Sequence, residues 1–127
     1  MKERSYRMFA EDIPEAMDKI ERYTRGLTYE TFVKNEMVVD AVMRNLEIIG
    51  EASRNIPEDI RGKYPDIPWK RMVGLRNIAI HKYFGVDLGI VWEIITRNLP
   101  ETRPMIAAPD VCPSPGGAII GQGLTCS

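Results

Sequence analysis

Apolar residues recur at helical spacing along most of this chain. Ile13, Met17, Ile20 and Thr24 lie on one face of a first helix. Asp12 and Glu15 around Pro14 form a capping-box signature at its start, although the pattern also allows a start near Tyr6; Gly26 stops it. Thr28 to Lys34 reads as a short helical turn. Asn35 is placed to cap a long helix reaching Arg54, with the core stripe Val38, Val42, Leu46, Ile49 and Ala52. Asn55-Ile56-Pro57 opens a short helix to about Lys63, and Tyr64 to Pro68 is a stiff connector. A further helix is predicted from Trp69 to Tyr83, broken by Phe84-Gly85-Val86. Asp87 then caps a last helix with the face Leu88, Val91, Trp92, Ile95 and Leu99, and Pro100 is expected just past its end.

The strand signal is negligible. The prediction is an all-α, up-and-down bundle of four or five helices over residues 1–104. The segment 105–127 holds a dense set of glycines and prolines with no helical period, and is expected to be a loosely ordered tail. Two helices are apolar beyond one stripe. On the Asn35–Arg54 helix, Met37, Val39, Met43 and Ile48 lie off the main stripe. The Trp69–Tyr83 helix is apolar on most sides. A helix buried on several sides needs several neighbours, and in a chain this small the expected extra neighbour is a second copy. A symmetric homodimer is therefore the predicted assembly.

At 127 residues, the chain is long enough for one core without disulfide or metal support. Neither a membrane-spanning run nor the apolar core of a signal peptide is read in the sequence, and the expected location is the cytoplasm. In that setting Cys112 and Cys126, both in the tail, are expected to be free thiols. The net charge of −1 is uninformative, but its distribution is not. Between Arg61 and Lys82 stand Arg61, Lys63, Lys70, Arg71, Arg76 and Lys82 against Asp66 alone. Such a basic stretch either forms a solvated helix face or meets a polyanion.

Within it lies "RNIAIHKYFGVD", with the single histidine of the chain. Arg76 and His81 sit on a mostly apolar helix, where a charge is costly unless paired. Asn77 and His81 share a face at i, i+4, and Tyr83 follows at the helix end. Asp40, Arg44, Glu47 and Glu51 make a polar stripe on the earlier long helix. It reads as a solvated row of weak ion pairs, with Glu51 the carboxylate placed to orient a basic group. One histidine is too few for a His-rich zinc site, no acidic cluster flanks the motif, and no phosphate-binding glycine loop or Ser-His-Asp pattern occurs.

The arrangement Arg-x4-His-x-Tyr in "RNIAIHKY" resembles the signature of HepT-type toxins in the HEPN superfamily. "NLEIIGEAS", "IPW", "HKYFGVDLGIVWEI" and "NLP" are similar to that family in the same order, over roughly residues 5 to 104. The tail is not similar to it. The resemblance implies an α-helical, commonly dimeric ribonuclease that uses no metal or other cofactor, with Arg76 and His81 catalytic and Asn77 in the polar position after the arginine. It also implies a partner, an MntA-type nucleotidyltransferase antitoxin that transfers AMP to Tyr83 and silences the toxin. The chemistry suits RNA as substrate. Attack of a 2′-hydroxyl on its phosphate needs a base, an acid and positive charge; histidine and arginine supply these at neutral pH, and a two-fold dimer would supply both twice. The alternative from the same residues is a non-catalytic HEPN module that binds nucleotide or RNA, or serves as the nucleotidyltransferase's partner subunit.

Overall fold

The computed structural model describes residues 2–80 and 87–106, with side chains from Met8 onward. Among them every regular element is helical: α1 (Lys2–Thr24), α2 (Tyr29–Lys34), α3 (Glu36–Arg54), α4 (Glu58–Lys63), α5 (Trp69–Ile80), α6 (Leu88–Glu93) and α7 (Leu99–Ile106). A π-helical segment, Ile94–Asn98, joins α6 to α7, so the two run on as one C-terminal helix.

The caps are built as their side chains demand. Asn35 Oδ1 accepts from the Val38 amide at 3.1 Å, and Asp87 Oδ1 from the Gly89 amide at 2.7 Å. Thr28 and Thr31 cap α2 reciprocally. Two boundaries differ from the sequence reading. Asp12 and Glu15 do not start α1; they lie inside it, as does Pro14. Ile13, Met17 and Ile20 are almost wholly buried. Each such side chain contributes about 1.5–3 kcal/mol, which together outweighs the roughly 3 kcal/mol of an interior proline.

Pro100 likewise does not end the last helix, which continues to Ile106 through Pro104. The π turn accommodates this. The Leu99 amide reaches back five residues to Ile94 O, and the Thr96 hydroxyl donates to Trp92 O at 2.6 Å. The Thr102 hydroxyl donates to Asn98 O at 2.9 Å. The reward for continuing is the burial of Leu99 and Ile106.

α3 is the centre of the bundle, packed against α1 on one side and α5 on the other, and the C-terminal helix lies on α1. Arg103 clamps that last contact through a two-pronged pair with Asp18, at 2.9 and 3.2 Å. α2 is pinned by Phe32, which is fully buried and packs on Trp92 with ring centres 5.1 Å apart. Val39 and Met43, read from sequence as surplus apolar positions, are buried within the single chain. The neighbours α3 needs are α1 and α5, so those two residues give no reason for a second subunit. Met37, by contrast, is exposed. Between α5 and the C-terminal helix an apolar groove of about 410 Å³ stays open, lined among others by Met72, Leu75, Ile78, Ile94 and Met105.

Candidate active site

The site begins with a glycine. Gly50 faces α5 so closely that a β-carbon there would stand 2.5 Å from the Arg76 amide nitrogen and 2.8 Å from Arg76 Cβ. The two backbones therefore touch, and the residue after Gly50 is brought to the residue it must meet. Glu51 Oε1 lies 3.2 Å from Arg76 Nε. The pair joins α3 to α5 across the bundle. It is half-exposed, with side-chain exposures of 40% for Arg76 and 47% for Glu51. As a solvent-screened ion pair it contributes about 0–1 kcal/mol to stability; its value is geometric.

The same carboxylate oxygen is 3.8 Å from Arg54 Nη1. On the same face of α3, Glu47 stands about one turn and Arg44 about two turns before Glu51, and Arg44 Nη1 is 3.3 Å from Glu47 Oε1. Arg44, Glu47, Glu51 and Arg76 border a cleft of about 350 Å³, whose lining also includes Phe9, Asp12, Ile48 and Ala52. Asp12 has its pKa raised by burial and by the charge of Glu15, against the opposing pull of Lys19. Although Asp12, Glu47 and Glu51 line one cleft, no three acidic, histidine or cysteine side chains among the described residues come together as a metal-ligand set.

Of the residues singled out from sequence, the structure brings together Arg76 and Glu51. Asn77 follows Arg76 on α5 and is exposed to solvent. α5 is described to Ile80; His81 and Tyr83, the break at Phe84-Gly85-Val86, and residues 107–127 of the tail expected over 105–127, with both cysteines, lie outside the described residues, while Met105 and Ile106 belong to α7. Sequence reasoning missed Gly50, Asp12 and Arg54. An isolated glycine inside a strong helical pattern is a signal of close backbone approach, so Gly50 was findable. Asp12 was hidden by its resemblance to a helix cap. No helix among the described residues is long and apolar enough to cross a membrane.

Comparison with known proteins points one way. Residues 13–108 match the family model described as "Ribonuclease HepT-like". The chain is 47% identical over 103 residues to a Methanocaldococcus jannaschii protein provisionally named an RNase, an alignment covering 81% of this chain and 94% of the relative. It is 43% identical over 100 residues to the Thermococcus cleftensis protein named "Probable ribonuclease HepT", covering 79% and 91% of the two chains. No solved structure gives a significant match.

Proposed function

We propose, from the premise that this chain belongs to the HepT-like ribonuclease family, that it is a toxin of a toxin–antitoxin pair that cleaves RNA without a metal ion and is silenced by adenylylation of Tyr83. The observation that carries the reading is the Arg76–Glu51 pair at the rim of a cleft, on a helix whose described part ends one residue before His81.

In this reading Glu51 approaches the guanidinium from its Nε side and fixes its direction. The terminal nitrogens of Arg76 then meet the non-bridging oxygens of the scissile phosphate and stabilise the charge that grows there. His81 takes the proton from the 2′-hydroxyl as its oxygen attacks phosphorus. The 5′-oxygen leaves with a proton from a second imidazole, which the single histidine of the chain can provide only as His81 of a second copy. The products are a 2′,3′-cyclic phosphate and a 5′-hydroxyl. The active form is thus a two-fold homodimer, and light scattering on the purified protein should give twice the chain mass.

An AMP group on Tyr83 would place an anion beside Arg76 and compete with the RNA phosphate. The partner that installs it is an MntA-like nucleotidyltransferase antitoxin. The test is cleavage of single-stranded RNA by purified protein. His81→Ala and Arg76→Ala should each lower the rate by about 10²-fold or more, and EDTA should leave it unchanged. Chelator-sensitive cleavage leaving 5′-phosphate ends would refute the mechanism. RNA binding without any cleavage would favour a non-catalytic binding module instead.

A further inference from the structure

The polar face of α3 holds two arginines, Arg44 and Arg54, that the proposed chemistry does not use, set among the acids Asp40, Glu47 and Glu51. Arg44, Glu47, Glu51 and Arg54 follow one another at intervals of three and four residues, and so form one stripe along the helix. Each glutamate holds an arginine of the stripe: Arg44 on Glu47 at 3.3 Å, Arg54 on Glu51 at 3.8 Å. The arginines stand further out than the acids that hold them. Their side chains are 68% and 61% exposed, against 38% for Glu47 and 47% for Glu51.

Arg76 enters this stripe from the facing helix and shares its carboxylate oxygen with Arg54. The nitrogens of those two arginines that approach Glu51 Oε1 therefore lie within about 7 Å of each other. Arg44 and Arg54 are ten residues apart on α3, a separation of about 15 Å along the axis at 1.5 Å per residue. Three guanidiniums are thus set along one edge, tethered from beneath by carboxylates. A stacked strand rises about 3.4 Å per nucleotide, so the row spans up to about four nucleotides.

We infer that Arg44 and Arg54 are phosphate-binding residues on either side of Arg76, forming with it a track for single-stranded RNA along α3. The inference rests on the ribonuclease reading and adds its substrate-binding residues. The glutamates serve as anchors. A long cationic side chain loses rotamer freedom when it binds a phosphate, and a tether that already restricts it reduces that loss. Neither arginine touches the reacting atoms, so each contributes to binding and leaves the chemical step to Arg76 and His81.

Binding of a short single-stranded RNA made of 2′-O-methyl nucleotides tests this, because such a probe cannot be cleaved. Its affinity is measured across a salt series for the full chain. Each phosphate contact on a single strand contributes about 0.7 to the slope of log affinity against log salt. Arg44→Ala and Arg54→Ala should each reduce the slope by about that amount, and Arg44→Lys and Arg54→Lys should restore it. Arg97→Ala, which removes an arginine paired with Glu93 at 3.0 Å on the C-terminal helix, should leave it unchanged.

A slope unchanged in either alanine variant overturns the track. If Arg76→Ala alone lowers the slope, the ribonuclease reading survives without the track. If the unaltered chain neither binds the probe nor cleaves RNA, both fall.

Discussion

Replacing Gly50 by alanine sets two effects of opposite sign against each other. In a helix interior the change alone is favourable by about 0.8–1 kcal/mol, because alanine restricts the unfolded chain and glycine does not. At this position the new methyl would sit 2.5 Å from Arg76 N, 2.8 Å from Arg76 Cβ and 3.0 Å from Arg76 Cα. Comfortable contact between such atoms is about 3.5–4.0 Å, so α5 has to retreat by about 1 Å. The obstacles are backbone and Cβ atoms, which no rotamer change moves aside. Overpacking of that kind costs about 1–3 kcal/mol, and this site belongs at the upper end. The net expectation is a loss of about 1–2 kcal/mol, or about 5–15 °C in melting temperature for a domain of this size.

Gly74 on α5 is the control, because a β-carbon there meets nothing within 4 Å. Gly74→Ala should raise stability by about 0.5–1 kcal/mol. Urea denaturation of the two variants beside the parent chain decides the matter. The retreat of α5 also draws Arg76 away from Glu51, so RNA cleavage should fall in Gly50→Ala and stay level in Gly74→Ala. A Gly50→Ala protein as stable as Gly74→Ala would show that α3 and α5 do not touch here, and the construction of the site would fail with it.

Glu51→Gln keeps the shape of the side chain but not its charge; stability should change by less than about 1 kcal/mol, since the pair is half-exposed, while RNA cleavage should drop by about tenfold through loss of Arg76 alignment. Asp12→Asn should stabilise the fold at neutral pH. The folded state raises the Asp12 pKa, so its charged form is costlier folded than unfolded; the gain should shrink as pH falls through the folded value and vanish below the ordinary 3.8, as melting at several pH values would show. Tyr83→Phe should resist adenylylation by the cognate nucleotidyltransferase with ATP; intact-mass spectrometry finding AMP still attached would exclude Tyr83 as the acceptor.

Much of this fold is legible in the sequence because its signals are local. Asn35 and Asp87 cap the helices they were expected to cap, since a short polar side chain beside free amides needs no distant partner. The failures arise where distant packing overrules a local signal. Asp12, Glu15 and Pro14 look like a helix start, yet the buried face of α1 carries the helix past them. Pro100 looks like a terminator, and nothing local announces that a π turn relieves it. Val39 and Met43 look surplus to one core stripe because the sequence does not say that α3 lies between two helices of its own chain. At the site, Glu51 was readable as a carboxylate facing a base. The contact that delivers it to Arg76 depends on the absence of a side chain at Gly50, and an absence is visible only once the opposite helix is in place.

The π turn at Ile94–Asn98 gives the C-terminal helix a tolerance of length. A π turn amounts to one residue inserted into an α-helix, and it absorbs that residue locally, because its wider winding carries the extra residue through about the angle that one fewer covers in regular helix. Deleting one residue within it would restore regular winding and leave everything downstream in phase. Ile106 would stay in the core and Arg103 on Asp18, while the ring of Pro100 would meet the carbonyl that a regular helix sets against it. The added residue and the proline are thus matched to each other: one opens the hydrogen-bond ladder where the other cannot take part in it.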